Sequence, residues 1–523
     1  MSSNRSNDAA LLSVYDRSGV VELARALAER GVALYATGGT RAHLREHGID
    51  ARDVEELTGY PSLFDGRVKT LHPAVFGAIL QDRANPAHVA EARAHAIPTL
   101  STIVVNLYPF EETVANETAT LQEAIEQIDI GGVSLLRAAA KNFDHVAVLS
   151  DPSQYAAFAA ALPAGGLDAA QRRRLATRAF ERVAEYDSAI ARYLESGMLA
   201  AELPGSLALT IPIEQPLRYG ENPQDRAAFY LAREARLPEQ LGGKALSYNN
   251  LLDLDATLRL LVRAPRGIEP EANLQPMHRA AIVKHTVPCG VAERPGVADA
   301  VRCALDADPV SAYGGIIAVD GPVDEAAADH LAGFFLEIVA APAFSDAALA
   351  RLRKKKNLRI MRYAAGEPDR IAAELRVRSA LGGVLAEDDD PAAPAERWSV
   401  VSQRAPSADE WRDLIFAWDV VRHVKSNGVV FARDGVSRGI CAGQTNRVSA
   451  VQIAAHRAHE YAQGAACASD GFFPFADGLI AAADGGATAV IAPQGSIRDA
   501  EVIAAADARG VALVFSTYRY FLH

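Results

Sequence analysis

VALYATGGTRAHLREHG, residues Val32–Gly48, reads as an apolar β-rich run, a Thr37-Gly38-Gly39-Thr40 turn, and a helix that opens where the turn ends. A strand that feeds a helix through so short a turn is the opening of a parallel βαβ unit. The surroundings repeat the plan. From Ala10 to Val148 the runs LLSVY, VALYAT, STIVVNLY and HVAVLS alternate with helical patterns such as Val20–Arg30, so this part is read as an α/β domain. Uncapped amides at the start of the helix would suit a phosphate. A plain two-glycine turn fits the same residues, and the longer P-loop pattern does not.

Further out, a long amphipathic helix is expected between about Asp168 and Glu195, with Val183, Tyr186, Ile190 and Tyr193 on one face as core. Pro204, Pro212 and Pro216 then interrupt any helix, which places a domain boundary near residue 200. The acidic, Pro/Ala-rich stretch Glu387–Glu396 divides the remainder, giving expected domains 1–200, 201–386 and 387–523. Each of the last two holds a strand-like run beside a polar lysine motif, Lys284-His285 and Lys425-Ser426-Asn427, which is compatible with a duplication.

Composition narrows the function classes. The 523 residues exceed a single small module, and 50% hydrophobic with 23% charged residues is the balance of a folded globular chain. A net charge of −12 lacks the basic field that nucleic-acid binding requires, so no nucleic-acid partner is expected. No stretch suits a membrane helix or a secretory signal, and a cytoplasmic protein without a membrane partner is expected. Cys289, Cys303, Cys441 and Cys467 show no CxxC pair and are read as reduced, mostly buried thiols.

Several polar clusters carry chemistry. Arg67, Lys69 and Thr70 offer two cations and a hydroxyl to phosphate oxygens, or form a solvated loop. Asn106-Leu107-Tyr108-Pro109 closes an apolar strand, and Asp129-Ile130-Gly131-Gly132 precedes a helix ending in Lys141-Asn142; strand ends and helix termini are where α/β folds place ligands. Lys284 and His285 stand where a strand gives way to a turn, a placement suited to a general base beside a cation that stabilises developing charge. A zinc deaminase would need H-x-E and P-C-x-x-C. Here Val287 lies two residues past His285 and Ala292 replaces the second cysteine, so no metal is expected.

Taken in order, ATGGT, GRVKTLHP, NLYPF, IDIGGVSLLRAAAKN, RYGENP, LSYNNLLDLDA, KHTVPCG, DPVSAYGGIIA, VKSNGVVFA, GQTNRV, SDGFFPFADG and GSIRD resemble the family that joins AICAR formyltransferase to IMP cyclohydrolase. The resemblance runs over nearly the whole chain. It implies a methylglyoxal-synthase-like amino domain followed by a duplicated, cytidine-deaminase-like transformylase without the deaminase zinc. It implies a homodimer that uses 10-formyltetrahydrofolate as co-substrate and acts on AICAR, formyl-AICAR and IMP.

By the same resemblance, the cyclohydrolase substrate is bound at Asp16, Thr37, Gly38, Gly39, Thr40, Arg67, Thr70, Asn106, Asp129 and Ile130. Lys141 would be the principal proton donor or acceptor, assisted by Tyr108 and Lys69. In the transformylase, His285 would be the general base and Lys284 the transition-state stabiliser. Arg218, Tyr219, Gly314, Glu337, Asn427, Arg447, Phe472 and Arg519 would bind AICAR; Val448, Asp477, Ser496 and Ile497 would lie at the folate. The chain departs from the family's usual residues at Tyr15, Arg17, Phe76, Val287, Tyr520 and Leu522.

Overall fold

The computed structural model describes residues 8–116, 118–196, 203, 205–232, 235–263, 277–388 and 396–523. The boundary expected near 200 and most of the Glu387–Glu396 connection fall outside them. The chain divides into two compact units, one running to Pro212 with Leu231–Ala235, the other comprising Ile213–Tyr230 and Arg236–His523.

The first unit is a parallel sheet of β1 (Asp8–Val14), β2 (Ala33–Ala36), β3 (Arg52–Asp53), β4 (Thr99–Asn106) and β5 (Ala147–Leu149), in the order β3-β2-β1-β4-β5. Its order reverses beside β1, so the crevice at the carboxyl ends of β1 and β4 is the natural ligand address. Apolar residues on both faces of these strands are fully buried, as a parallel sheet covered by helices requires. The 28-residue helix Ala169–Ser196 lays Val183 and Tyr186 into one core, with Ile190 and Tyr193 packed at its margin.

The second unit opens with the hairpin β6 (Ile213–Leu217) and β7 (Ala227–Tyr230), and contains a second small hairpin, β14 (Arg376–Ala380) with β15 (Gly383–Glu387). Its main sheet holds twelve strands among the described residues. One half comprises β8 (Glu239–Gly242), β9 (His278–Lys284), β10 (Val287–Arg294), β11 (Ile316–Val319), β12 (Ile338–Ala341) and β13 (Arg359–Arg362). The other comprises β16 (Trp398–Val400), β17 (Val429–Arg433), β18 (Val436–Cys441), β19 (Ala465–Ser469), β20 (Ala487–Pro493) and β21 (Ala512–Ser516).

The order β16-β21-β20-β19-β17-β18-β10-β9-β11-β12-β13-β8 reads the same from either end when the halves are exchanged, so the unit is a duplication. The halves join where β10 meets β18 antiparallel at Ala292 and Val436, and the Val291 amide donates to Ser437 Oγ at 2.8 Å. Alternation does the rest. Ala281, Val283, Val430 and Ala432 enter one core shared by both halves, while Ala280 and Ile282 face a second core and Val429 and Phe431 a third. Cys303, Cys441 and Cys467 are buried in these cores, and Cys289 packs at the edge of one.

Register shows how the two lysine motifs relate to the duplication. Val283 pairs with Ile316 where β11 begins, whereas its counterpart Ala432 pairs with Ala466 where β19 begins. Lys284-His285 therefore follows its strand and corresponds to Arg433-Asp434, while Lys425-Ser426-Asn427 precedes β17. The duplication is present, but these motifs are not copies of one another.

Candidate active sites

In the first unit the helix Gly38–Glu46 starts directly after β2, with Thr37 at its N-cap and the Thr37 hydroxyl directed to Ser13 Oγ at 3.1 Å. The Thr40 hydroxyl ties the turn to the backbone of Val14. Two cations converge on the glycines. A Cβ at Gly38 would lie 3.3 Å from Lys69 Nζ, and one at Gly39 would lie 3.1 Å from Arg17 Nη2. Helix-terminal amides, an ammonium and a guanidinium thus share one anion cradle. Arg17 supplies a cation there despite its departure from the family residue.

Beside the cradle, Asn106 at the end of β4 accepts from the amides of Tyr15 and Asp16 at 2.6 and 2.9 Å and donates to the Asp16 carbonyl at 2.7 Å. The Asp16 carboxylate is held below its ordinary pKa by hydrogen bonds from Ser18. Asp129 accepts the Gly132 amide at 2.6 Å, and its own amide donates to the Tyr186 hydroxyl at 2.9 Å. Burial pushes the Asp129 carboxyl up; burial and then the Asp129 charge push the Tyr108 phenol up. Thr70 Oγ1 is 3.0 Å from a Cβ position at Gly131, which brings Thr70 to the start of the same helix. Tyr15 stands edge-on to Tyr108, ring centroids 6.0 Å apart. Arg67 pairs with Glu126, Ile130 is exposed, and Phe76 packs against the core.

Lys141 is placed elsewhere. It ends the 11-residue helix Gly131–Lys141 that Asp129 and Ile130 begin, and at about 1.5 Å per residue the two ends are about 16 Å apart. The structure groups Tyr108 with Asp129, places Lys69 at the glycine turn, and does not bring Lys141 of the same subunit to them. Sequence reasoning assigned Tyr186 to the core alone. Its hydroxyl also donates to the Gln127 carbonyl at 2.6 Å, fixing the loop that carries Asp129.

In the second unit the strand directions collect the expected residues at one end of the sheet. β9 ends there at Lys284-His285, β11 and β12 begin there after Gly314 and Glu337, β17 begins there after Asn427, and β18 and β19 end there before Arg447 and Phe472. Val448, Asp477, Ser496, Ile497 and Arg519 follow β18, β19, β20 and β21 at the same end. Arg218 and Tyr219 lie in the loop after β6, which Asn249 reaches by donating to the Glu221 carbonyl at 3.3 Å.

Lys284 Nζ donates to the Tyr313 carbonyl at 2.8 Å, next to Gly314. Glu337 accepts from Arg359 at 2.6 Å. Asn427 donates to the Gln444 carbonyl, and buried Arg447 pairs with buried Asp470 while its Nε has no partner among the described residues. Arg519 stacks on Phe521, and Arg498 on Phe475 beside the fully exposed Ile497. Asp477 Oδ1 accepts the Gly478 amide. Two departures have structural roles: the Tyr520 hydroxyl donates to Glu396 at 2.9 Å, and the Leu522 backbone bonds to Ser426 in both directions. Val287, the third, pairs with Lys284 at the start of β10. Burial pushes the Cys289 thiol up to about 12, and among the described residues no three His, Cys, Asp or Glu side chains gather as metal ligands.

A family model described as AICARFT/IMPCHase bienzyme matches residues 139–457, and one described as MGS-like domain matches residues 19–134. The chain belongs to the AICARFT/IMPCHase bienzyme family. Curated proteins named bifunctional purine biosynthesis protein PurH are similar along its length. That of Parasynechococcus marenigrum is 47% identical over 98% of this chain and 99% of its own. That of Chloroflexus aurantiacus is 48% identical over 98% of each chain, and that of Roseobacter denitrificans 45% over 98% of each. As an AICARFT/IMPCHase bienzyme, the chain is an enzyme of the last two steps of IMP synthesis, combining an AICAR formyltransferase with an IMP cyclohydrolase. Its amino-terminal sheet is MGS-like. No helix among the described residues is long and apolar enough to cross a membrane.

Proposed function

We propose that the carboxy-terminal unit transfers the formyl group of 10-formyltetrahydrofolate to the 5-amino group of AICAR, and that the amino-terminal unit closes formyl-AICAR to IMP with loss of water. Residues 1–200 would carry the cyclohydrolase, and 201–386 with 387–523 the transformylase. The observation that carries the reading is the gathering of Lys284, His285, Gly314, Glu337, Asn427 and Arg447 at one sheet end.

The 5-amino lone pair is delocalised into the imidazole and carboxamide, so the amine needs a base as it attacks. His285 takes that proton, and Lys284 stabilises charge developing on the formyl oxygen or the leaving nitrogen. Arg218, Arg447 and Arg519 suit a nucleotide phosphate, while Tyr219, Phe472, Gly314, Glu337 and Asn427 suit its flat base. The exposed apolar faces of Ile497 and Phe475, with Val448, Ser496 and Asp477 following strands at the same sheet end, fit an aromatic, partly polar folate without any metal.

In the cyclohydrolase, Arg17, Lys69, Arg67, Thr70 and the Thr37–Thr40 turn hold the phosphate, with Asp16 and Asn106 shaping the site. Ring closure is intramolecular, so positioning supplies much of the rate, and Tyr108, Asp129 and Lys69 move the protons. The family resemblance also gives Lys141 the principal proton transfer; its helix ends about 16 Å from where Asp129 begins it, so within one subunit Lys141 does not join this group. We further propose a cytoplasmic homodimer with small-molecule substrates and no nucleic-acid or membrane partner.

The deciding experiment is His285→Ala in the full chain, supplied separately with AICAR plus 10-formyltetrahydrofolate and with formyl-AICAR. Formyl transfer should be lost and cyclisation retained. Loss of both in folded protein would sink the two-site assignment.

A further inference from the structure

The loop joining β9 to β10 is only His285-Thr286, and both residues lie in the left-handed region, with φ of 55° and 59°. Two-residue hairpins favour turns that need positive φ at both central positions, and Asn-Gly or Asp-Gly ordinarily supply them. Histidine tolerates that conformation better than most non-glycine residues, but β-branched threonine resists it. The Asp253 carboxylate, on the helix Tyr248–Arg259, accepts the His285 amide at 3.2 Å and the Thr286 amide at 2.6 Å.

The duplicated half supplies an internal comparison. Its β17–β18 loop is Asp434-Gly435, with φ of 56° and 63°, and Asp413 on the helix Ala408–Val421 accepts both amides at 2.9 and 2.8 Å. The same clamp thus occurs twice, once over Asp434-Gly435, which favour the turn unaided, and once over a pair whose β-branched Thr286 opposes it. Glycine cannot relax position 285, where an imidazole is required.

We propose that Asp253 is a positioning residue for formyl transfer: by holding His285-Thr286 in the left-handed turn, it fixes the direction in which His285 and Lys284 leave the end of β9. The inference rests on the assignment of formyl transfer to those two residues. Lys284 is held from the other side by the Tyr313 carbonyl, so releasing the turn would separate the base from the cation.

The test compares Asp253→Ala, Asp253→Asn, Thr286→Gly and the Asp253→Ala/Thr286→Gly double variant in the full chain. Asp253→Ala should lower kcat for formyl transfer about 10- to 100-fold, with the AICAR KM changed less than about threefold and cyclisation unchanged. Asp253→Asn, which keeps one acceptor, should fall between. Thr286→Gly alone should be near wild type. Added to Asp253→Ala it should recover about tenfold, because glycine takes the left-handed region at little cost.

If Asp253→Ala does not fold, Asp253→Asn with and without Thr286→Gly carries the same comparison. A wild-type kcat without the clamp, or no recovery with glycine, would overturn the proposal. So would an equal kcat loss in Asp413→Ala, since that would indicate general loosening of the sheet. His285→Ala separates the underlying assignment: retained formyl transfer there refutes the choice of base, whatever Asp253 does.

Discussion

Replacing Gly132 by alanine probes the cyclohydrolase site through one methyl group. The new Cβ would lie 2.4 Å from Asp129 Oδ2, 2.9 Å from its Cγ and 3.0 Å from Leu107 Cδ2, whereas ordinary contact begins at 3.4 Å. The carboxylate must therefore retreat by about 1 Å, and it has little freedom to do so. It accepts the Gly132 amide at 2.6 Å, its own backbone is tied to Tyr186, and buried Leu107 crowds the same new methyl. Overpacking of this kind costs about 1–3 kcal/mol, and a 1 Å misplacement of a reacting group costs about 100-fold in rate. Gly132→Ala should lower cyclisation of formyl-AICAR by about that factor, measured as IMP formation. Formyl transfer by the same sample should be unaffected, and urea unfolding should report the stability loss. Wild-type cyclisation at wild-type stability would show that Asp129 is neither confined nor needed where the structure places it.

Further tests address charge, protonation and assembly. Arg17→Ala removes a cation from the glycine turn; charged hydrogen bonds contribute about 1.5–3 kcal/mol, so the KM for formyl-AICAR should rise about tenfold or more, and an unchanged KM would move the phosphate elsewhere. Against the upward push of burial, hydrogen bonds from Arg404 and the Ser407 amide hold Glu410 at about 2, below its ordinary 4.5. The unfolded chain then binds the extra proton between those values, so the stability Glu410 contributes is complete above 4.5 and lost as pH falls toward 2. Since Arg404 is 38% exposed, Glu410→Gln should cost only about 1–2 kcal/mol at pH 7 and less at pH 3 by urea unfolding; an equal deficit at both would contradict the ionic origin. Lys141→Ala should lower IMP formation from formyl-AICAR if Lys141 makes the principal proton transfer at a site other than the one its own helix begins; wild-type cyclisation would remove it from the chemistry. Light scattering should give a dimer, and on dilution formyl transfer should fall before cyclisation, whereas a fully active monomer would exclude a shared transformylase site.

The α/β class was legible in the sequence because it is written at short range. Strand–turn–helix patterns such as Val32–Gly48 and the stripe of the helix Ala169–Ser196 follow from periodicity, and the ordered motifs carried the family. The family's residue pattern also pointed to Lys284-His285, since that pair lies within one continuous motif. Other features depended on the three-dimensional fold. Register decided that Lys284-His285 and Lys425-Ser426-Asn427 are not equivalent, and strand direction nevertheless brought both to one sheet end. Helix length separates Lys141 from Asp129 within one subunit, although the family resemblance had placed both at one site. Tyr186 could be read only as core, because its second role, carried by one hydroxyl, depends on which loop packs above it. Asp253 lies within the motif LSYNNLLDLDA, but nothing local gave it a role: the amides it clamps lie more than 30 residues away, and the role proposed for it depends on the backbone angles of a turn whose threonine does not favour them. Periodicity and motif depend on chain neighbours and are fixed before folding; hydrogen bonds between distant segments, and the strain they offset, exist only after the segments have packed.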